Sequence, residues 1–206
     1  MGLRKCGIMT KPKENYEYCW NWKGSPWRTK SAWMTYLRSA LRKAWMRNPV
    51  KLEKLKQGRI KIPNPNPRSA TRFPEVFGAQ CECCFGTFPL SAGKKEAKNK
   101  DYIVVDHKVP AGEFKDPKDA QKFFTGLLCI SLDDLRLLCT SCNSLYLYAQ
   151  KEGCTLEEAK CHKEAIQIVK DKQEKSWLLE RNILPASAQA NRRKQIVEQL
   201  KKERGL

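Results

Sequence analysis

Acidic residues are almost missing from the first third of this 206-residue chain: residues 1–73 hold only Glu14, Glu17 and Glu53. Histidine is scarce too, with His107 and His162 alone, which excludes a His-rich metal site and leaves few candidates for a histidine base. No apolar run approaches the roughly 20 residues of a helical bilayer span, so a membrane partner is not expected. The opening stretch MGLRKCGIMTKPKENYEYC has no apolar signal core, so a cytoplasmic location is expected. With 41% hydrophobic and 30% charged residues, the length suits one core with an appended module, or two small domains. The ten cysteines of a chain without an export signal read as free thiols or metal ligands rather than disulfides.

What is present in that acid-poor third is base. Against its three acids stand 18 Lys and Arg, a net +15, whereas the remaining 22 Lys and Arg face 19 Asp and Glu, a net +3. So lopsided a segment repels itself unless it meets a polyanion, and counterion release makes nucleic acid the natural partner; a merely solvated basic face is the alternative. From Thr29 to Arg47 the residues Ala32, Trp33, Tyr36, Leu37, Ala40, Leu41, Ala44 and Trp45 recur at three- and four-residue steps, predicting an amphipathic helix. Lys30, Arg38, Arg42, Lys43 and Arg47 occupy its other surface and suit phosphate contacts. Asn48-Pro49 should end it, with a second helix near 50–57. Trp20, Trp22 and Trp27 read as a hydrophobic lid in preference to base-stacking residues.

The run Pro63-Asn64-Pro65-Asn66-Pro67 suggests a linker. It would separate a basic, mainly helical region (1–68) from a core (75–152) and a helical tail (153–206). Within the core, Tyr102–Val105 reads as a strand running into Asp106-His107, residues 116–128 as a short helix, Leu135–Leu138 as a second strand, and Asn143 to about Glu152 as a helix. Thr155 and Glu158 form a capping box for a helix to about Lys172, and 187–204 is amphipathic. The fold class expected is α+β.

Cys81-Glu82-Cys83-Cys84 and Cys139-Thr140-Ser141-Cys142 each supply a C-x-x-C pair. Two such knuckles provide the four thiolates that closed tetrahedral zinc prefers, so Cys81, Cys84, Cys139 and Cys142 are the expected ligands of structural Zn²⁺. Cys83 is the odd one out. Cys6, Cys19, Cys129, Cys154 and Cys161 read as buried thiols. His162, beside Cys161, reads as a packing residue, as do Trp177, Leu178 and Leu179; Arg192-Arg193-Lys194 is a solvated helix face or a DNA contact.

The order C-x-x-C, strand ending in Asp106-His107, loop, Asp134 before a strand, C-x-x-C, then Asn143 at a helix start resembles the HNH endonucleases. The first knuckle extends as C-x-x-C-x-x-x-F-P through Cys81, Cys84, Phe88 and Pro89, which is similar to the zinc-bearing HNH proteins of bacteriophages. The resemblance covers roughly residues 30–200 and is most specific over 81–146. It implies a ββα-metal core stapled by the four-cysteine zinc site, and hydrolysis of DNA phosphodiester bonds, by nicking or double-strand cleavage. Asp106 and Asn143 would hold a catalytic Mg²⁺ or Mn²⁺ through hard oxygen ligands, and His107 would be the general base for the attacking water. It also implies a phage-encoded protein, of which homing endonucleases are one kind, acting on double-stranded DNA in the host cytoplasm.

Three positions depart from the family pattern. Asp134 stands where an Asn that orients the loop and base is usual, and Tyr146 replaces a common Lys, so that phosphate contact is either missing or made by Arg136. Asn143, in place of the frequent His, keeps a metal-binding amide oxygen. These departures leave open a zinc-stabilised DNA-binding or adaptor protein with a degenerate site. One active site cuts one strand and the sequence shows no dimerisation seam, so a monomer or weak dimer, with or without a partner protein, is expected.

Overall fold

The computed structural model describes Trp20, residues 24–91 and residues 101–206. Cys6, Cys19, Trp22 and the lysine-rich stretch 93–100 lie outside the described residues. Within them, in chain order, come α1 (Lys30–Met46), α2 (Pro49–Gln57), β1 (Ile60–Pro63), α3 (Pro67–Ala70), β2 (Glu75–Gln80), β3 (Thr87–Pro89) and β4 (Ile103–His107). A 3₁₀ turn (Pro117–Asp119), α4 (Ala120–Leu128), β5 (Leu135–Cys139), α5 (Thr140–Glu152), α6 (Leu156–Lys170), α7 (Glu174–Leu179) and α8 (Gln189–Glu203) follow. The fold is α+β. No helix among the described residues is long and apolar enough to cross a membrane.

The chain divides into two units, one running to Gln57 and resuming over His107–Arg136, the other made of Gly58–Asp106 and Leu137–Leu206. These limits differ from the three sequence regions, and the division passes through the paired strands β4 and β5.

In the first unit the Thr29 side chain caps α1 by accepting from Ala32 N. Asn48 then does two jobs. Its Oδ1 accepts from Val50 N at 2.9 Å, opening α2 with Pro49 in the first turn, where a missing N–H costs nothing. Its Nδ2 donates to the carbonyl of Leu128 at 3.2 Å, which satisfies one of the orphan carbonyls at the end of α4. Met34, Phe114 and Leu127 are buried, and the Phe114 and Phe123 rings stack at 5.5 Å. The inner side of α1 is narrower than its sequence periodicity suggests. Met34 is buried and Trp33, Leu37, Leu41 and Trp45 are half-buried, whereas Ala32, Tyr36, Ala40 and Ala44 are exposed. Small alanines advance the periodicity without covering much area. The Trp20 and Trp27 rings do lie on this helix, against Trp33 and Tyr36 at 5.1 and 4.5 Å.

In the second unit β1, β2 and β3 form an antiparallel sheet in the order β1-β2-β3, with Ile62 opposite Val76 and Ala79 opposite Phe88. The proline–asparagine run expected to be a linker is instead the connection between β1 and β2. Pro63 ends β1, Asn64 Nδ2 donates to Ser69 Oγ and to Phe73 O, and Asn64 N donates to Pro74 O. Proline at the end of a strand forfeits no interior ladder bond. Gly78 sits where a Cβ would come within 2.6 Å of both Ile62 Cδ1 and Phe88 O, so only glycine lets the three strands approach.

The tail helices share a core of Cys161, Ala165, Leu178, Ile196, Val197 and Leu200. The Thr155–Glu158 capping box forms in both directions at the start of α6. Arg192 is buried and bonds to Ala186 O, Ser187 O and Glu174, so it holds the tail together and is unavailable to DNA; Arg193 and Lys194 are exposed. Leu179 is exposed, unlike its neighbour Leu178.

Candidate functional site

The four sulfurs of Cys81, Cys84, Cys139 and Cys142 lie within 4.8 Å of one another. A tetrahedral ion with bonds of about 2.3 Å requires sulfurs about 3.8 Å apart, and Cys84 Sγ and Cys139 Sγ stand at 3.9 Å. The cluster could therefore hold a metal ion such as zinc.

Each knuckle is tied at its first cysteine. Cys83 N donates to Cys81 Sγ and Cys142 N to Cys139 Sγ, both at 3.4 Å, and the first turn closes through Phe85 N to Cys81 O and Cys81 N to Gly86 O. Phe85 takes a left-handed backbone (φ 58°) to make that turn.

Burial opposes a thiolate at Cys81, yet hydrogen bonds from the backbones of Cys84, Cys139 and Cys83 outweigh it and bring its pKa down to about 7. Burial raises Cys139 to about 11 and drives Cys142 higher still. Packed protein alone thus favours one negative sulfur here, and four thiolates need a bound cation to balance them.

Two acids hold the centre without being ligands. Glu82, inside the first knuckle, donates its N–H to Leu137 O at 2.8 Å and accepts from Leu137 N through Oε1 at 2.9 Å, which fastens the first knuckle to β5 two residues before Cys139. Asp101 accepts from Thr140 Oγ1, Ser141 N and Ser141 Oγ at 2.5, 2.9 and 3.0 Å, and so caps α5 from the start of the β4 segment. Sequence reasoning overlooked both. An acid between two cysteines, and one placed just before a strand, carry no local signal of what they will reach.

Of the four residues expected to form the catalytic group, Asp106 and Asn143 belong to the second unit and His107 and Asp134 to the first. Asp106 is half-buried at the end of β4. Asn143 follows Cys142 in the first turns of α5, and Thr140 N donates to Tyr102 O at 3.0 Å, so this helix begins beside the start of β4. Asn143 Oδ1 is buried and has no hydrogen-bond partner, a state shared among the described residues only by Glu174 Oε2 and Arg192 Nε. A buried acceptor left unpaired costs about 1–3 kcal/mol, and a hard cation is one group that would satisfy it.

In the first unit, His107 Nε2 lies 3.1 Å from the carbonyl oxygen of Leu127, and the ring tilts against Trp45 at 4.3 Å between centroids. The Lys51 ammonium sits 5.0 Å from the centre of the same indole, and burial lowers its pKa. The carboxylate of Asp134 accepts from Ser131 N and Oγ, both at 2.7 Å, while its backbone oxygen accepts from Lys108 N at 2.8 Å. Those bonds from Ser131 are the main reason its pKa is lowered. Asp134 therefore pins the loop entering β5, and its side chain is committed to Ser131.

The expected DNA contacts separate by environment. Lys30 is paired with Asp116 at 2.7 Å, and half-buried Arg38 reaches Phe114 O and Thr35 Oγ1, so both help join α1 to the segment before α4. Arg42, Lys43 and Arg47 are exposed, and Arg136 is half-buried on β5. Among the remaining cysteines, Cys161 is buried as expected and Cys154 is half-buried, but Cys129 is exposed just past the end of α4, where the chain leaves the packed helix. His162 is half-buried against the Tyr148 ring, and burial lowers its pKa, in keeping with packing. No protein-family model, curated protein or solved structure matches the chain.

Proposed function

We propose that the protein is a metal-dependent DNA endonuclease of the HNH kind, with structural zinc at Cys81, Cys84, Cys139 and Cys142. The observation that carries this reading is Asn143 Oδ1, a buried and unpartnered oxygen one residue beyond a cysteine of the cluster. Asp106 and Asn143 offer the carboxylate and amide oxygens that Mg²⁺ or Mn²⁺ accepts. When bound, such a cation neutralises charge on the phosphate and on the departing 3′ oxygen.

The chain's own residues supply the rest. His107 takes a proton from the attacking water, Trp45 and the Leu127 carbonyl hold its ring, and Asp134 secures the loop after α4 through Ser131. β4, β5 and α5, the helix following β5 at once and the 3₁₀ turn and α4 inserted between the strands, are the elements that would make up the ββα core the resemblance implies. Exposed Arg42, Lys43 and Arg47 bind the duplex backbone, and Arg136 contributes a phosphate contact.

The expected products carry a 5′ phosphate and a 3′ hydroxyl. Nicking of supercoiled plasmid with Mg²⁺ tests the reading: wild type should nick and His107→Ala should lose at least about 10²-fold in rate. Equal nicking by the two proteins would sink it, and a protein that binds DNA but never nicks would favour the adaptor alternative.

A further inference from the structure

The β1–β2 hairpin of the second unit carries a surface that neither the cysteine cluster nor Asp106 and Asn143 use. Phe73 and Phe77 are 55% and 52% exposed. A single exposed phenylalanine is ordinary, but these two line the same concavities, open grooves of about 420 and 240 Å³ that both include Phe73 and Phe77. Each ring has a guanidinium on it: Arg59 lies 4.7 Å from the centre of Phe77 and Arg72 lies 5.3 Å from that of Phe73. Lys61 stands opposite Phe77 in the β1–β2 register and pairs with Glu75 at 3.3 Å. Three cations therefore meet one carboxylate on this face.

The chemistry discriminates between ligands. Duplex DNA keeps its base faces stacked on one another and offers proteins only base edges and phosphates. Exposed rings have nothing to stack on there. An unpaired strand presents base faces and phosphates together, which is what aromatic rings set among arginines take up.

We propose that the face made by Arg59, Arg72, Phe73 and Phe77 binds single-stranded DNA. Unpaired bases stack on the two rings and phosphates meet the guanidinium groups. The inference extends the DNA-directed reading above but does not require cleavage.

The test uses the full-length protein carrying His107→Ala, without added divalent cation. Fluorescence anisotropy is read with a short labelled mixed-sequence oligonucleotide and with its duplex. Phe73→Ala and Phe77→Ala should each weaken single-strand binding about tenfold and duplex binding by less than about twofold. Phe77→Leu, which keeps apolar bulk without the ring face, should lose as much as Phe77→Ala. Because both positions are exposed, the variants should fold, and circular dichroism matching that of the parent protein certifies each one. Unchanged single-strand affinity in such variants, equal losses on both ligands, or full affinity in Phe77→Leu would overturn the inference. Because binding is read on a His107→Ala background, failure of the nuclease reading leaves the expected result in place, and failure here leaves plasmid nicking untouched.

Discussion

His107 Nε2 and the carbonyl oxygen of Leu127 are 3.1 Å apart, and this contact sets the tautomer of the imidazole. A carbonyl only accepts, so Nε2 must carry the hydrogen, and in the neutral ring the lone pair is then on Nδ1. The nitrogen able to take a proton from water is therefore Nδ1. Leu127 is the penultimate residue of α4, and Asn48 binds the next carbonyl, that of Leu128. One helix end thus fixes both the histidine and the start of α2.

Trp45 is the wall on which that ring rests. Trp45→Ala should lower kcat for nicking toward 10²-fold, since a displacement of about 1 Å suffices for such a loss, while KM for plasmid changes little. Trp45→Phe, which keeps an aromatic wall, should retain most of the rate. A KM effect alone would show that Trp45 touches DNA and does not position the base.

Glu82 joins the two knuckles through both of its bonds to Leu137. Glu82→Ala should weaken zinc affinity by roughly 10-fold or more, read by chelator competition, with one zinc per chain still bound at saturation. Cys142→Ser should abolish stoichiometric zinc. Undiminished affinity in Glu82→Ala would mean that the metal alone aligns the cysteines.

The exposed bases on and just past α1 predict a salt effect. Replacing Arg42, Lys43 and Arg47 with alanine should reduce the slope of log affinity against log salt by about 0.9 for each phosphate no longer neutralised. Replacing Lys30, already paired with Asp116, should change that slope least. The measurement is duplex affinity titrated across salt concentration, and an unchanged slope in the triple variant would move the DNA grip elsewhere.

Glu158 links stability to acid. Its bond from Lys201 first, then those from the backbone and side chain of Thr155, lower its pKa from 4.5 to about 2. A depressed carboxyl stabilises the fold fully above the unfolded value, and the contribution fades as pH falls from 4.5 through about 2. Glu158→Gln should therefore melt below wild type at pH 7, and the gap in Tm should close over that acid window. A gap independent of pH would assign the effect to packing.

What the sequence determined by itself was whatever depends on spacing along the chain. The two C-x-x-C pairs foretold the sulfur cluster, three-and-four periodicity foretold α1, and Thr155 with Glu158 foretold the cap of α6. Each is a local rule, in which the interacting groups are a few residues apart or the ligand type dictates the partner. The β1–β2–β3 sheet was missed because its strands are short and its turn is rich in proline and asparagine, so local chemistry signalled a linker where pairing with distant residues wins. Tertiary structure alone decided that Trp45 lies on His107, that Leu127 sets its tautomer, that Glu82 and Asp101 brace the cysteine centre, and that Asp134 serves Ser131. These contacts, apart from the last, join groups far apart in sequence, and polar side chains find such partners only once packing has removed water and left donors and acceptors to satisfy one another.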